Sequence, residues 1–386
     1  MKTLYFNNFN CHNGDLHYYR EFIKDIISKT NFDEYYLLES HDSSKLLSDI
    51  PNLKFGKLNS NCFINQTHYK INQDTYINIH FVRTDISYYI LKDNDWHNYN
   101  SLLDAYIKYY TIIYNKLNIQ LSEKNYYVPE INYSIFDIQN VNKYVENNNK
   151  FKVLICNGTV LSSQSDDINF LSLIEKLSTD YNDIDFILTE KINLIKDNVL
   201  FTDDIINCNF PDLNEISYLS TFCNIIIGRA SGPFCFTLTK NNFNDKNKTF
   251  IAITSYYSIA FYSEYSKSDR VLINNFEYDN IYNVINDEVN NKYILYCNKN
   301  NIKKLDISRI DNQINFMFLG DINNIVIKSY IDLNNTGDFN VAYGAFFEKI
   351  FSNLYYYFII NRVVTNNSKI KLEFLYYGEI IHEIII

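Results

Sequence analysis

Two α/β domains, each a parallel sheet with helices wound on both faces, followed by a smaller α+β extension, are the fold this sequence predicts. Three observations predict it. Short β-branched or apolar runs without alternation read as strands buried on both faces, and helix-length apolar patterns separate them. The polar stretch Asn147-Asn148-Asn149-Lys150 interrupts the series just before the buried run Phe151–Cys156. Past about residue 300 the alternation gives way to strand-like segments. The expected domains are 1–150, 151–300 and 301–386, and a 46% hydrophobic, 17% aromatic chain has ample apolar content for their cores.

Leu4-Tyr5-Phe6 is the first strand, and from Leu16 to Lys29 apolar residues recur at helical spacing (Leu16, Tyr19, Phe22, Ile23, Ile26, Ile27). Gly14-Asp15 therefore sits at the mouth of a strand–loop–helix unit. Asp15 suits an N-cap, and it also suits the carboxyl edge of a first strand, where open α/β sheets bind ligands. His12 and His17 flank it, either as surface residues or as partners in proton transfer. Glu34–Glu39 is a second strand, Ser43 to Leu53 a short helix, and Asn61 to Val82 an alternating stretch that suits paired strands. His80 and Arg83, near its end, could stand at a cleft, with ordinary strand residues as the favoured reading. Trp96 reads as a packing residue, with an acceptor-sugar platform as the lesser alternative, before the helix from Leu102 to Leu117, and Phe136 to Val145 is a further short helix.

In the second domain the strand ending at Cys156 runs through Asn157-Gly158-Thr159 toward a helix from Ile168 to Leu177. Asp185 to Thr189 is a strand with Glu190 at its end, Val199 to Phe201 another, and Leu213 to Leu219 a helix carrying Glu215. The organising stretch follows: Ile225-Ile226-Ile227-Gly228-Arg229-Ala230-Ser231-Gly232-Pro233. It reads as strand, tight turn and helix, with Gly228 and Gly232 for a sharp turn, Ser231 as cap and Pro233 at the first helical position. A helix start there favours a phosphate, and Arg229 adds positive charge. Strands at Thr249 to Thr254 and Arg270 to Ile273 and a helix around Ile281 to Val289 complete the domain. In the tail, strands are expected at 314–319, 325–333, 369–375 and 379–386, with a helix or long aromatic segment from Ala345 to Ile360.

A formal net charge of −10 argues against a nucleic-acid partner, which needs clustered Lys and Arg. The seven cysteines show no CxxC and no paired spacing with His, so no metal site is expected. Thiols within apolar runs, no secretion signal and no run long enough to span a bilayer point to a cytoplasmic protein without a transmembrane segment.

With Asn13-Gly14-Asp15-Leu16-His17 at the first turn and Arg229-Ala230-Ser231-Gly232-Pro233 late in the second domain, the chain resembles the GT-B glycosyltransferases. Those are built of two Rossmann-like domains facing a cleft. Within them it looks most like the ADP-heptose:lipopolysaccharide heptosyltransferase family. The resemblance spans roughly residues 1 to 295 in layout and is specific at these two turns. It implies an inverting, metal-independent transfer of a sugar from a nucleotide-diphosphate sugar to a hydroxyl of a glycan or glycolipid, with no cofactor beyond that donor. Asp15 would be the base, with His12 and His17 nearby. Ser231, Gly232 and Pro233 would hold the diphosphate, and Asn157, Gly158 and Thr159 match the family's phosphate-side loop. Glu190 joins the donor side, and Glu215 resembles the ribose-binding acid if the spacing is shifted. Arg229 stands where the family usually has Asp or Asn, and the loop from Thr159 to Ser165 lacks the basic residue expected nearby, so Arg229 would take over that charge. Closure of the two domains would exclude water. A nucleotide-sugar epimerase and a non-catalytic sugar- or partner-binding module are the alternatives. Peripheral membrane contact and homo-oligomerisation through the extension both stay open.

Overall fold

The computed structural model describes the chain except for residues 9–11, 40–43, 58–65, 81–101, 159–167, 207–210, 230, 255–265, 303–305, 311–312, 318–324, 333–339, 343, 351–354, 361–368, 377–378 and 386. Two compact units result, Met1–Asn286 and Asp287–Ile386.

The first unit opens with β1 (Thr3–Asn8), α1 (Asn13–Lys29) and β2 (Glu34–Glu39). A 3-10 turn at Ser44–Leu47, β3 (Leu53–Lys57), β4 (His68–Ile71), β5 (Asp74–Asn78), α2 (Leu102–Leu117) and α3 (Gln139–Glu146) follow. The sheet order is β3-β2-β1-β5-β4, parallel except for β4. The apolar stripe of α1 is buried as its spacing requires: Leu16, Tyr19, Phe22, Ile23 and Ile26 are wholly enclosed. Asn72, at φ 57°, turns the hairpin between β4 and β5, a left-handed conformation that asparagine tolerates. Two readings need correction here. The helix expected from Ser43 to Leu53 is only the four-residue 3-10 turn, and Leu53–Lys57 adds a strand. Neither segment is long enough for hydrophobic periodicity to separate helix from strand.

The second half continues with β6 (Phe151–Cys156), α4 (Phe170–Asp180), β7 (Ile184–Leu188), β8 (Val199–Phe201), α5 (Thr202–Ile206) and α6 (Leu213–Ser220). Then come β9 (Ile225–Gly228), α7 (Gly232–Thr237), α8 (Lys240–Phe243), β10 (Thr249–Ile253), β11 (Asp269–Ile273) and α9 (Tyr278–Ile302). All six strands are parallel, in the order β11-β10-β9-β6-β7-β8. Counted from β6, that is the 3-2-1-4-5-6 order of the doubly wound dinucleotide-binding sheet. Every residue of β6, β7, β9 and β10 is buried, which is why their sequences run apolar without alternation. One buried cluster passes from Leu4 and Phe22 through Leu213 and Phe234 to Phe250, so the two Rossmann-like halves share a core.

The second unit takes in the end of α9 and eight strands: β12 (Asp306–Ile310), β13 (Gln313–Met317), β14 (Ile325–Asp332), β15 (Asn340–Ala342), β16 (Gly344–Ile350), β17 (Tyr355–Ile360), β18 (Lys369–Tyr376) and β19 (Glu379–Ile385). They make two antiparallel sheets, β12-β13-β17-β16 and β15-β14-β18-β19. The helix or aromatic segment expected from Ala345 to Ile360 is instead the pair β16 and β17, with Phe346 opposite Phe358. Aromatic and β-branched runs favour strands once a partner is at hand.

Candidate active site

In open α/β sheets a ligand crevice forms at the carboxyl ends of the strands where the strand order reverses direction. In the first sheet that point lies between β1 and β5, and in the second between β6 and β9. The residues that follow these four strands include most of those singled out from the sequence.

At the first switch point Asp15 is the third residue of α1, and His12 occupies the N-cap position. The Asp15 carboxylate accepts the His12 backbone N–H at 3.1 Å, so it does serve the helix start. That role engages Oδ2 and leaves the side chain 27% exposed. The same Oδ2 faces His80 Nε2 at 3.9 Å, just beyond direct bonding. His80 follows β5 by two residues and packs edge-on against the Tyr19 ring. Its pKa is pushed below the ordinary imidazole value chiefly by burial, while Asp15 pulls it up and His12 pushes it down. His80 is thus neutral at neutral pH beside a carboxylate, and His12 is exposed at the rim. Asn8, the last residue of β1, holds a buried Oδ1 with no hydrogen-bond partner.

At the second switch point β9 ends in Gly228, and α7 begins at Gly232 with Pro233 in its first turn. The strand–turn–helix reading holds, but the reasons for two residues change. A Cβ on Gly228 would lie 2.6 Å from the Phe234 ring and 2.9 Å from Cys156 Cβ, so glycine is needed there for α7 to fold down onto the strand. Ser231 sits at the N-cap position but makes no side-chain cap bond, and its buried Oγ has no partner. A buried hydroxyl left this way costs about 1–3 kcal/mol, which a ligand oxygen would offset. Gly232 and Pro233 are half-buried. Pro233 has no N–H to offer, so the turn's polar groups are the Ser231 hydroxyl and neighbouring amides.

These two turns meet. A Cβ on Gly14 would lie 3.5 Å from Gly232 Cα and 3.4 Å from Cys235 Sγ, which puts the first turns of α1 and α7 in van der Waals contact. Asp15 is the residue after Gly14, so the carboxylate and the Ser231–Pro233 turn belong to one edge of the unit.

Several candidates have other work. His17 is fully buried, bonded through Nε2 to the Leu238 carbonyl at 3.1 Å and packed on Phe236 at 4.7 Å. Burial, with Arg20 adding to it, holds His17 far below the imidazole range, so it joins the halves and does not transfer protons at the surface. Glu215 is wholly buried and pairs with Lys45 Nζ at 2.8 Å, an ion pair across the halves and not a ribose contact at the edge. Arg229 is 5% exposed, donates to the Gly158 and Asn157 carbonyls, and lies over the Phe170 ring at 5.4 Å. Those bonds tie the residue after β9 to the carboxyl end of β6. Asn157 uses its side chain to lace β6 to β7: Nδ2 donates to the Glu190 carbonyl at 2.8 Å and Oδ1 accepts the Glu190 N–H at 2.9 Å. Glu190 itself is exposed, its carboxylate lying over Gly158, where a Cβ would come within 2.6 Å of Oε1. Thr159, Arg83, Trp96 and Ala230 lie outside the described residues.

The junction between the halves is polar and closed. Arg20 pairs with Asp49, both fully enclosed, and reaches Asn214 Oδ1 at 3.2 Å, while the Tyr18 hydroxyl meets Cys235 Sγ at 3.3 Å. Of these, Arg20–Asn214 and Tyr18–Cys235 cross between the halves, while Arg20–Asp49 lies within the first. Among the described residues no cluster of His, Cys, Asp or Glu is arranged to hold a metal ion, and no helix is long and apolar enough to cross a membrane.

No family model matches the chain, and comparison with curated proteins finds no match. Among solved structures it is similar to the glycosyl transferase family 9 protein from Veillonella parvula DSM 2008, with 12% identity over 74% of this chain and 89% of that one and a TM-score of 0.44. It is also similar to the E. coli heptosyltransferase WaaC with ADP, with 11% identity over 76% of this chain and 99% of that one and a TM-score of 0.43. The E. coli ADP-heptose lps heptosyltransferase II is comparable, with 10% identity over 76% and 99% and a TM-score of 0.39. These are likenesses of layout, and the functional reading rests on the site geometry.

Proposed function

We propose that this protein is a glycosyltransferase that moves a sugar from a nucleotide-diphosphate sugar to a hydroxyl of a glycan or glycolipid, with inversion. The observation that carries it is the contact at Gly14 and Gly232, which brings a half-exposed carboxylate from one switch point beside an amide- and hydroxyl-bearing turn from the other. Asp15 takes the proton of the acceptor hydroxyl as its oxygen bonds to the anomeric carbon. The bond from that carbon to the diphosphate breaks, and the nucleoside diphosphate leaves with the electron pair. The Ser231 hydroxyl and the amides of the first turn of α7 meet the charge that develops on it. His80, neutral and 3.9 Å from Asp15, adds no competing charge beside that carboxylate. In this reading residues 1–150 serve the acceptor and 151–300 the donor.

The same Asp15–His80 pair favours one second reading, a nucleotide-sugar epimerase, because that chemistry needs a further acid/base group beside the carboxylate. The two are separated by the acceptor: a transferase releases nucleoside diphosphate in proportion to glycosylated product, and an epimerase converts the sugar with none added. The test of ligand class is a thermal-shift panel of nucleoside diphosphates and their sugars. A ligand present at 100 times its Kd adds about 2.7 kcal/mol of stability and raises the melting temperature. A panel in which no member raises it overturns the proposal.

A further inference from the structure

At the opposite end of α1 from Asp15, a hollow of about 340 Å³ is lined by Lys29, His68, Lys70, Thr75, Lys116 and Asn118 among others. At 1.5 Å per residue along α1 it lies about 20 Å from the candidate active site. In a chain of net charge −10 this concentration of basic groups is unusual. Strand alternation puts His68 and Lys70 on one face of β4, with the intervening Tyr69 buried and stacked on Tyr76 at 5.0 Å. Lys116 arrives from the last turn of α2 and Lys29 from the last turn of α1.

A lysine at a helix C-terminus and a lysine on an edge strand each have an ordinary reason to be there. Lys29 is moreover engaged by Asp25 at 2.9 Å. What those reasons do not supply is the convergence of Lys70 and Lys116 on one imidazole. His68 Nε2 is buried and has no hydrogen-bond partner. Lys70 and Lys116 line the same hollow as the ring, and after burial both lower the His68 pKa. Among the described residues no carboxylate pairs with Lys70 or Lys116, and both are exposed.

We propose that this hollow is a second ligand site, for a phosphate-bearing group whose oxygens accept from His68 Nε2 and whose charge is met by Lys70 and Lys116. A phosphate provides at once the negative charge two ammonium groups attract and an acceptor for the lone imidazole N–H. The group is either a soluble phosphate ester or an anionic lipid headgroup, since the recognised chemistry is the same.

The test follows the His68 ring proton resonances of the full chain, assigned with His68→Gln, during titration with inorganic phosphate at constant ionic strength. The expected result is a saturable shift whose apparent affinity falls at least tenfold in Lys70→Ala/Lys116→Ala. Both lysines are exposed, so the double variant should retain the wild-type circular dichroism spectrum. A shift reproduced by chloride, or one unchanged in the double variant, overturns the site. With a saturable shift established, sedimentation with phosphatidylcholine vesicles containing phosphatidylglycerol identifies the source. Binding that the double variant loses assigns the headgroup, and no binding assigns the soluble ester. His68 reports this end of α1 alone, so the outcome is independent of what reacts at Asp15.

Discussion

The units β1–α1 and β9–α7 occupy equivalent places, each a strand, turn and helix at the switch point of its sheet, yet they treat charge in opposite ways. The first keeps the Asp15 carboxylate 27% exposed beside His80, and the second turns Arg229 onto the Gly158 and Asn157 carbonyls. Their helices differ as well: α1 runs for 17 residues and α7 for six. The long helix carries the junction with the other half through His17, Tyr18 and Arg20, while the short one is held against β9 by the absence of a side chain at Gly228. The contrast teaches that equivalent topology does not mean equivalent chemistry. One turn leaves its charged group open to solvent, and the other spends its charge on backbone carbonyls.

The largest effect should come from the exposed side of the comparison. Asp15→Asn is expected to lower turnover by about 10²- to 10⁴-fold, the usual worth of a positioned base, with nucleotide affinity nearly unchanged in calorimetry. Wild-type turnover in that variant would remove Asp15 from the reaction. At the junction, Asp49→Ala leaves the Arg20 guanidinium enclosed without its carboxylate and should destabilise the fold by about 3–5 kcal/mol in urea unfolding. A loss below about 1 kcal/mol would show that water reaches Arg20.

On the buried side, Gly228→Ala drives a methyl into Phe234 and should cost about 1–3 kcal/mol, measured the same way. No loss would mean that α7 can lift from β9, and the contrast with α1 would weaken. The smallest effect is on pH dependence. His17 is held well below its unfolded value of about 6.5, so between those two values the unfolded chain binds the extra proton. Stability should therefore fall as pH drops below about 6.5 and level off beneath the folded value. His17→Gln should flatten that slope in melting curves, leaving the part due to His80 and His68, which are lowered too.

Much of this was legible in the sequence because burial on both faces leaves a run with no polar alternation, as in Phe151–Cys156 and Ile225–Gly228. The two turns followed from where glycine and proline interrupt those runs. What stayed hidden was direction and distance. His17 is two residues from Asp15, which on a helix means roughly 200° around the axis, and so it points into the core. His80 is 65 positions away in sequence and reaches Asp15 only because β5 pairs with β1. Nothing local to Ile79-His80 announces that neighbour. Arg229 was correctly set at the turn, but a long side chain can swing up to a ligand or down to carbonyl oxygens, and the sequence does not choose. Tyr355–Ile360 was ambiguous for another reason: a continuous aromatic run has neither period.

The claim on which the account depends is that Asp15 and the Ser231–Pro233 turn act on one molecule. A crystal structure of the full chain with a bound nucleoside diphosphate tests it most directly. The expected result is a diphosphate within hydrogen-bond distance of the Ser231 hydroxyl and the Gly232 amide, its terminal phosphate on the Asp15 side. A nucleotide bound elsewhere, with nothing between Asp15 and that turn, would contradict it.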